Sequence, residues 1–361
     1  MTESKHPHGS SRRLPWAAAA IALVVIVLAG GCTGSATSSP TSSATSGSST
    51  TVSACPVTQV ADHVRPSVVT ISASSSQGGG TGSGEVIRSD GYILTNNHVI
   101  SVAANGGSVK VLFSDGQPEP ATITGRDVQT DLAVLHVQPA RELKVIALGS
   151  SASVKVGQPV VALGAPLGLS GTVTSGIISA LDRTVEVPAE NDKSALLVSA
   201  LQTDAAINPG NSGGALANCA GQLIGVPTAG ATVPGSAGGS IGLGFAIPVD
   251  LAKTVADEII ATGRVTHAFF GLSTVPIPPA AAAEAGVPAG LFVQAVTPGG
   301  PAAQAGLQAD DVITTINGEP ATSNIQLQEL TLTKKPGDTV AIGYSRAGHA
   351  ATTTVTLGAQ P

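Results

Sequence analysis

The chain has 361 residues, with 17 Lys or Arg against 23 Asp or Glu, for a net charge of −6. No basic stripe stands out, so the electrostatic footprint of a nucleic-acid binder is missing. The hydrophobic fraction of 42% suffices for a substantial core, but only 2% of residues are aromatic, so that core is built mainly from Val, Ile, Leu and Ala. The length allows one large or two to three ordinary domains.

The N-terminus reads as an export signal. Lys5, Arg12 and Arg13 precede an uninterrupted apolar run from Trp16 to Ala29, short for a membrane span of ~20 residues but suited to a signal sequence. The run ends at Leu28-Ala29-Gly30-Gly31-Cys32, which resembles a bacterial lipobox with Cys32 as the lipidated residue. It departs from that pattern in placing Ala29, not a leucine, three residues before the cysteine. An uncleaved signal anchor is the alternative, and Ser11-Arg12-Arg13-Leu14 weakly resembles a twin-arginine signal. All of these place the mature chain outside the cytoplasm. Residues 33–54 are Ser/Thr-rich, cannot bury apolar surface, and are expected to form a disordered tether after the signal or anchor of residues 1–32. If Cys32 carries lipid, Cys55 and Cys219 remain as an even pair in an oxidising compartment. A Cys55–Cys219 disulfide is expected, with two buried thiols as the alternative.

From Cys55 the pattern changes. Val57–Val64 carries apolar residues at helical spacing and stops at Pro66. About a dozen short Val/Ile-rich strands follow, from Ser67–Ser74 to Gly242–Ile247, with Gly, Asp, Asn or Pro in nearly every gap. Such a series points to β-barrels or a sandwich. Pro248–Thr262 has the spacing of an amphipathic helix, with Asp250 in its first turn and Gly263 after its end. Arg264–Ala268 is expected to be a linker. A second unit runs from Phe269 to the C-terminus, with strands at Gly290–Val296, Asp310–Ile316, Thr339–Ser345 and Ala351–Leu357, and a helix at Ser323–Leu332.

Within the strand-rich region, Asn208-Pro209-Gly210-Asn211-Ser212-Gly213-Gly214 places one hydroxyl between glycines in a tight turn. Such a turn can expose Ser212 Oγ and aim the N–H groups of Gly210 and Ser212 at one spot, as acyl transfer requires. Alone, the motif fits an ordinary Gly/Asn turn equally well. Upstream, His98 follows the strand Tyr92–Asn96, and Asp131 immediately precedes the apolar strand starting at Leu132. The order His98, Asp131, Ser212 is that of the chymotrypsin-like double-barrel proteases.

The segments Ser83-Gly84, Thr95-Asn96-Asn97-His98-Val99, Thr130-Asp131-Leu132-Ala133-Val134, Gly210-Asn211-Ser212-Gly213-Gly214 and Phe245-Ala246-Ile247-Pro248 together resemble the HtrA/Deg family of serine proteases. The resemblance runs from about Pro56 to the C-terminus. It departs at Ala215, where the family often has Pro, and at Gly164-Ala165-Pro166, where Gly-Ser-Pro is more usual. It implies a mainly β fold: a chymotrypsin-like double β-barrel over residues 55–263 and an α+β PDZ domain over 268–361. His98 would act as general base, Asp131 would orient it, and Ser212 would be the nucleophile. Gly210, Asn211 and Ser212 would form the oxyanion hole. Gly164–Gly176, with Leu167, Leu169 and Thr174, resembles the family's activation loops. The Ser74–Gly82 connection is short and lacks the long insertion of some relatives.

Ala206 stands where trypsin-like enzymes carry a pocket Asp, so cleavage after Lys or Arg is not expected. Ala206 and Ile207 opposite Thr228, Ala229 and Gly230 suggest a small apolar pocket. Phe269-Phe270-Gly271-Leu272 resembles a PDZ carboxylate loop that captures peptide C-termini. The implied function is an exported, membrane-tethered endopeptidase acting on misfolded envelope polypeptides. A chaperone or scaffold with a latent protease domain is the alternative. Relatives are commonly homotrimers, although no Phe, Tyr or Trp lies between Gly34 and Gly91 to make the usual contacts. No cofactor is implied, and the Cys and His spacing fits no metal site.

Overall fold

A computed structural model describes residues 55–165, 171–188, 194–230 and 239–360. The signal, Cys32 and the Ser/Thr-rich stretch lie outside the described residues, as do Leu167 and Leu169. No described helix is long and apolar enough to cross a membrane.

Helix α1 (Val57–Val64) buries Val60 and Val64, the two positions one helical turn apart that its spacing singles out. Six strands follow: β1 (Val68–Ser75), β2 (Gly78–Val86), β3 (Tyr92–Asn96), β4 (Ser108–Leu112), β5 (Pro118–Asp127) and β6 (Leu132–His136), with the single-turn helix α2 (Asn97–Ile100) after β3. They close into a barrel in the order β1-β2-β3-β6-β5-β4. Ile71, Ile93, Val111 and Leu135 fill it. Ser75 pairs with Gly78, so β1 and β2 stay in register until Ser76 and Gln77 make the turn. The glycine run Gly78–Gly80, expected to be loop, is therefore strand.

After β7 (Ala147–Leu148), strands β8 (Pro159–Gly164), β9 (Thr172–Pro188), β10 (Ser194–Thr203), β11 (Ala215–Asn218), β12 (Gln222–Gly230) and β13 (Gly244–Pro248) form a second sheet. Its order is β11-β8-β9-β10-β13-β12-β7, and an additional β11–β12 pairing closes the ring. Ile178, Leu201, Leu216 and Ile224 fill this second barrel. Helix α3 (Val249–Thr262) ends at Gly263 in the left-handed conformation (φ 80°), as its sequence signals foretell. Its Ala252 and Ile259 pack with Leu132, Val134 and Leu197 where the barrels meet. β6 is apolar at successive positions because Ala133 and Leu135 face the first barrel's interior while Leu132 and Val134 face this junction. Cys55 and Cys219 form a disulfide with a Cα–Cα distance of 5.2 Å, fastening the segment before α1 to the turn after β11.

The C-terminal unit contains β14 (Ala268–Phe269), β15 (Leu272–Ile277), α4 (Pro279–Ala285), β16 (Gly290–Val296), α5 (Pro301–Gln304), β17 (Val312–Ile316), β18 (Glu319–Pro320), α6 (Asn324–Thr333), β19 (Thr339–Arg346), β20 (His349–Thr356) and β21 (Gly358–Ala359). Its main sheet runs β15-β16-β17-β19-β20, leaving β15 at the edge, and a β14–β21 ribbon stands beside it. Helix α6 opens on a capping box between Ser323 and Gln326. Leu332 of α6 packs on Leu196 and Val198 of β10, joining this unit to the second barrel.

Candidate active site

His98 and Asp131 are brought together by adjacent ends of β3 and β6, which pair through Asn96 and Leu132. The carbonyl of Asp131 accepts from Asn96 Nδ2 at 2.8 Å and from the Asn97 N–H at 3.1 Å. These bonds hold Asp131 at φ 56°, a left-handed conformation that Asp tolerates better than most residues. Its carboxylate turns inward as a result. Oδ1 accepts the His98 backbone N–H at 2.9 Å, and Oδ2 lies 2.7 Å from His98 Nδ1. With Nδ1–H donating to the carboxylate, Nε2 is left with a free lone pair, the tautomer a general base needs. The Asp131 side chain is 6% exposed and that of His98 is 39% exposed, so the pair is anchored inside and open to solvent outside.

The sequence reading missed a third group at this carboxylate. Thr228 Oγ1 donates to Asp131 Oδ2 at 2.5 Å. Thr228 sits at a bulge between Pro227 and Ala229 in β12, where two residues oppose one on β13. A bulge re-aims a side chain, and here it directs the hydroxyl across the inter-barrel cleft. Thr228 was expected to line the specificity pocket; its side chain is instead 6% exposed and committed to Asp131. A bulge leaves no mark in a short strand's composition, so no sequence signal could have found it.

Ser212 lies on the turn before β11. Its Oγ donates to the Thr228 carbonyl at 3.3 Å, which among the described residues is its hydrogen bond. Thr228 thus contacts both Ser212 and Asp131. Gly210 takes φ 99° and Gly213 φ 78°, conformations that favour glycine. A side chain at Gly213 would also collide with the Ser83 carbonyl at 2.3 Å. Among the described residues, the N–H groups of Gly210 and Ser212 have no acceptor, as free oxyanion donors would require. Asn211 differs from the other two. Its N–H donates to the Asn208 carbonyl at 2.9 Å and its Nδ2 to the Ala206 carbonyl at 3.2 Å. Asn211 is buried and shapes the turn, and its backbone N–H, unlike those of Gly210 and Ser212, is already committed.

Of the remaining pocket residues, Gly230 comes close to Ile207, whose carbonyl lies 3.3 Å from where a Gly230 Cβ would stand. The Ile207 side chain is 5% exposed and belongs to the second barrel's core, so it cannot form an open pocket wall. Ala206 is half-buried, and its carbonyl also accepts from Thr174 Oγ1 at 3.0 Å. The side chain of Ala229 lies outside the described residues. Among the described residues no cluster of His, Cys, Asp or Glu is arranged to hold a metal ion.

In the C-terminal unit, the Phe269–Leu272 segment leads from β14 into edge strand β15 and borders a groove of about 260 Å³ against α6, which Leu327 and Thr331 also line. Phe270 faces away from this groove in part, being 4% exposed within the unit's core. The Gly271 carbonyl accepts from the Thr297 N–H and the Phe270 carbonyl from the Ala302 N–H, both bonds holding the loop's shape.

The two closed six-stranded barrels, with the His98–Asp131 pair and Ser212 at their junction, have the architecture of a trypsin-like protease domain joined to a PDZ domain. Sequence comparison agrees: a trypsin-like peptidase domain matches residues 82–226 and a PDZ domain matches residues 268–357. The chain is 43% identical over 313 residues to the serine protease PepD of Mycobacterium tuberculosis, covering 84% of this chain and 66% of that protein. It is 42% identical over 281 residues to the periplasmic pH-dependent serine endoprotease DegQ of Escherichia coli, covering 77% of this chain and 59% of that one. Among solved structures, the HtrA-type protease AlgW with a decapeptide superposes with a TM-score of 0.68 at 33% identity, covering 84% of this chain and 99% of that chain. The chain belongs to the HtrA/Deg family of serine proteases. It spans between half and two thirds of the length of the curated relatives it matches.

Proposed function

We propose that the chain is a serine endopeptidase in which Ser212 is the nucleophile, His98 the general base and Asp131 the group that orients it. The observation that carries this reading is the 2.7 Å His98–Asp131 pair, anchored inside and open outside, on the same inter-barrel junction as Ser212. His98 Nε2 takes the proton as Ser212 Oγ attacks the scissile carbonyl, and returns it to the leaving amine. The unpaired N–H groups of Gly210 and Ser212 receive the charge that develops on the carbonyl oxygen. We take residues 55–263 as the catalytic domain and 268–361 as the PDZ domain, whose β15–α6 groove receives a peptide C-terminus by strand addition. The decapeptide in the AlgW structure supports peptide recognition here. The periplasmic relatives and the signal-like N-terminus support an envelope location, tethered through Cys32 lipid or an uncleaved anchor, with misfolded envelope polypeptides as substrates. A homotrimer rests on the family resemblance alone.

One observation favours a latent form of the same enzyme. Ser212 Oγ is bonded to Thr228 and not to His98, a resting geometry that closes only when substrate or an activating peptide arrives. Casein digestion by the chain beside Ser212→Ala tests the proposal. Cleavage by the first and none by the second is expected; equal cleavage by both would overturn it.

A further inference from the structure

Ser83 is fully buried on β2 and faces the second barrel. Its neighbour Gly84 takes the opposite face, where a side chain would strike Ile71 and Ile93 of the first barrel's core. Every polar group of Ser83 is engaged, and most are engaged with the nucleophile turn. Its N–H donates to the Ser212 carbonyl at 2.8 Å. Its Oγ donates to the Gly210 carbonyl at 2.6 Å and accepts the Ala165 N–H at 2.8 Å. Its carbonyl accepts from Thr95 Oγ1 at 2.6 Å, and Thr95 lies three residues before His98 on β3. One residue of the first barrel thus grips Gly210 and Ser212 from the second, the end of β8 beyond it, and the strand that delivers His98.

We infer that Ser83 is the positioning residue of the oxyanion hole, fixing the Gly210–Asn211 and Ser212–Gly213 peptide planes and through them restricting the adjoining Pro209–Gly210 and Asn211–Ser212 planes, whose N–H groups stay aimed at the developing oxyanion. This rests on the reading of Ser212 as the nucleophile. Gly210 is the flexible member of the turn, with φ 99° and no side chain to restrain it. Its carbonyl has one hydrogen bond among the described residues, the one from Ser83 Oγ. That bond fixes rotation about the Cα–C bond of Gly210 and with it the plane shared with Asn211. Asn211 is pinned at its own N–H by Asn208, so the turn is held from both sides. A serine suits the place because one hydroxyl both donates and accepts. Alanine would leave the part-buried Gly210 carbonyl and the buried Ala165 N–H without partners.

The test compares wild type, Ser83→Ala and Ser83→Thr in the full chain, with Ser212→Ala as control. Peptide cleavage gives kcat and KM, and a peptide boronate reads the site: Ser212 Oγ adds to boron, its proton passes to His98, and one boronate oxygen takes the oxyanion position. Ser83→Ala is expected to lower kcat by about 10- to 100-fold with KM nearly unchanged, and to weaken boronate binding by a similar factor. Ser83→Thr keeps the hydroxyl and is expected to recover most of both. The inference is overturned if kcat stays within about threefold of wild type, if kcat falls while boronate binding is retained, or if Ser83→Thr is no better than Ser83→Ala. Cleavage that survives Ser212→Ala would instead remove the nucleophile reading on which the inference stands.

Discussion

His267, the last residue before the PDZ unit, lies with Nε2 2.9 Å from both carboxylate oxygens of Asp127, in a site where the two side chains are 8% and 5% exposed. Asp127 ends β5 and opens the turn that reaches Asp131, and Thr130 Oγ1 and the Gln129 N–H also bond to its carboxylate. On the other side the His267 carbonyl accepts from the Gln360 N–H, beside the β14–β21 ribbon. The expected linker is therefore a clasp between the PDZ unit and the turn that carries Asp131.

Removing one partner of a buried pair strands the other. His267→Ala should destabilise the chain by about 3 kcal/mol, read from urea unfolding, and Asp127→Asn should do much the same. Because the two share one interaction, the double variant should lose less than the sum of the singles. Additive losses would show that the pair is not coupled.

Thr228 leads to a prediction about activity. Its hydroxyl is a charge-assisted donor to Asp131, and such bonds contribute about 1.5–3 kcal/mol. Thr228→Val should therefore lower kcat/KM by about tenfold or more and reduce the unfolding free energy by about 1.5–3 kcal/mol. Full activity in that variant would mean that the two bonds from His98 alone orient Asp131.

Glu85 is fully buried on β2, and neither of its carboxylate oxygens has a hydrogen-bond partner among the described residues. Burial pushes its carboxyl well above the usual range, opposed only in part by its own backbone N–H. The folded state then binds this proton more tightly than the unfolded chain does. Its stability is fully present below the unfolded value of about 4.3 and falls as pH rises toward the raised folded value, by up to about 1.4 kcal/mol per pH unit. Glu85→Gln should flatten that slope and be the more stable protein at neutral pH. Urea midpoints measured between pH 4 and 8 check this; parallel slopes for the two proteins would contradict it.

The Cys55–Cys219 disulfide closes a loop with a sequence separation of 164. Chain-entropy reasoning gives a stabilisation of about 5 kcal/mol for a loop of that size. Replacing both cysteines by alanine should lower the unfolding free energy by that amount and free α1 from β11 first, which hydrogen exchange in Val57–Val64 would report.

Much of this was legible in the sequence because the signals are local. The strand Tyr92–Asn96, the helix ending at Gly263 and the pairing of Cys55 with Cys219 follow from period, cap and cysteine arithmetic. His98, Asp131 and Ser212 stood out by order and context. What stayed hidden depends on how strands pair, bulge and pack. Glycines at Gly78–Gly80 look like loop until β1 is there to pair with them. The second barrel's β9 is one strand of 17 residues that runs through Asp182, which reads as punctuation, and ends at Pro188. Thr228 became a partner of Asp131 only through a bulge, and Ile207 was drawn from the pocket into the core by its neighbour Gly244. His267, in a segment with no periodic pattern, gave no sign of Asp127.

The central claim is that Ser212 is activated by His98 and Asp131. Phosphonylation by a fluorophosphonate, located by mass spectrometry of the digested chain, tests it most directly, with an activating peptide present in a parallel sample. Ser212 should carry the added mass in wild type, and the label should vanish in Ser212→Ala and fall sharply in His98→Ala. Labelling at another serine, none in either sample, or equal labelling without His98 would contradict the account.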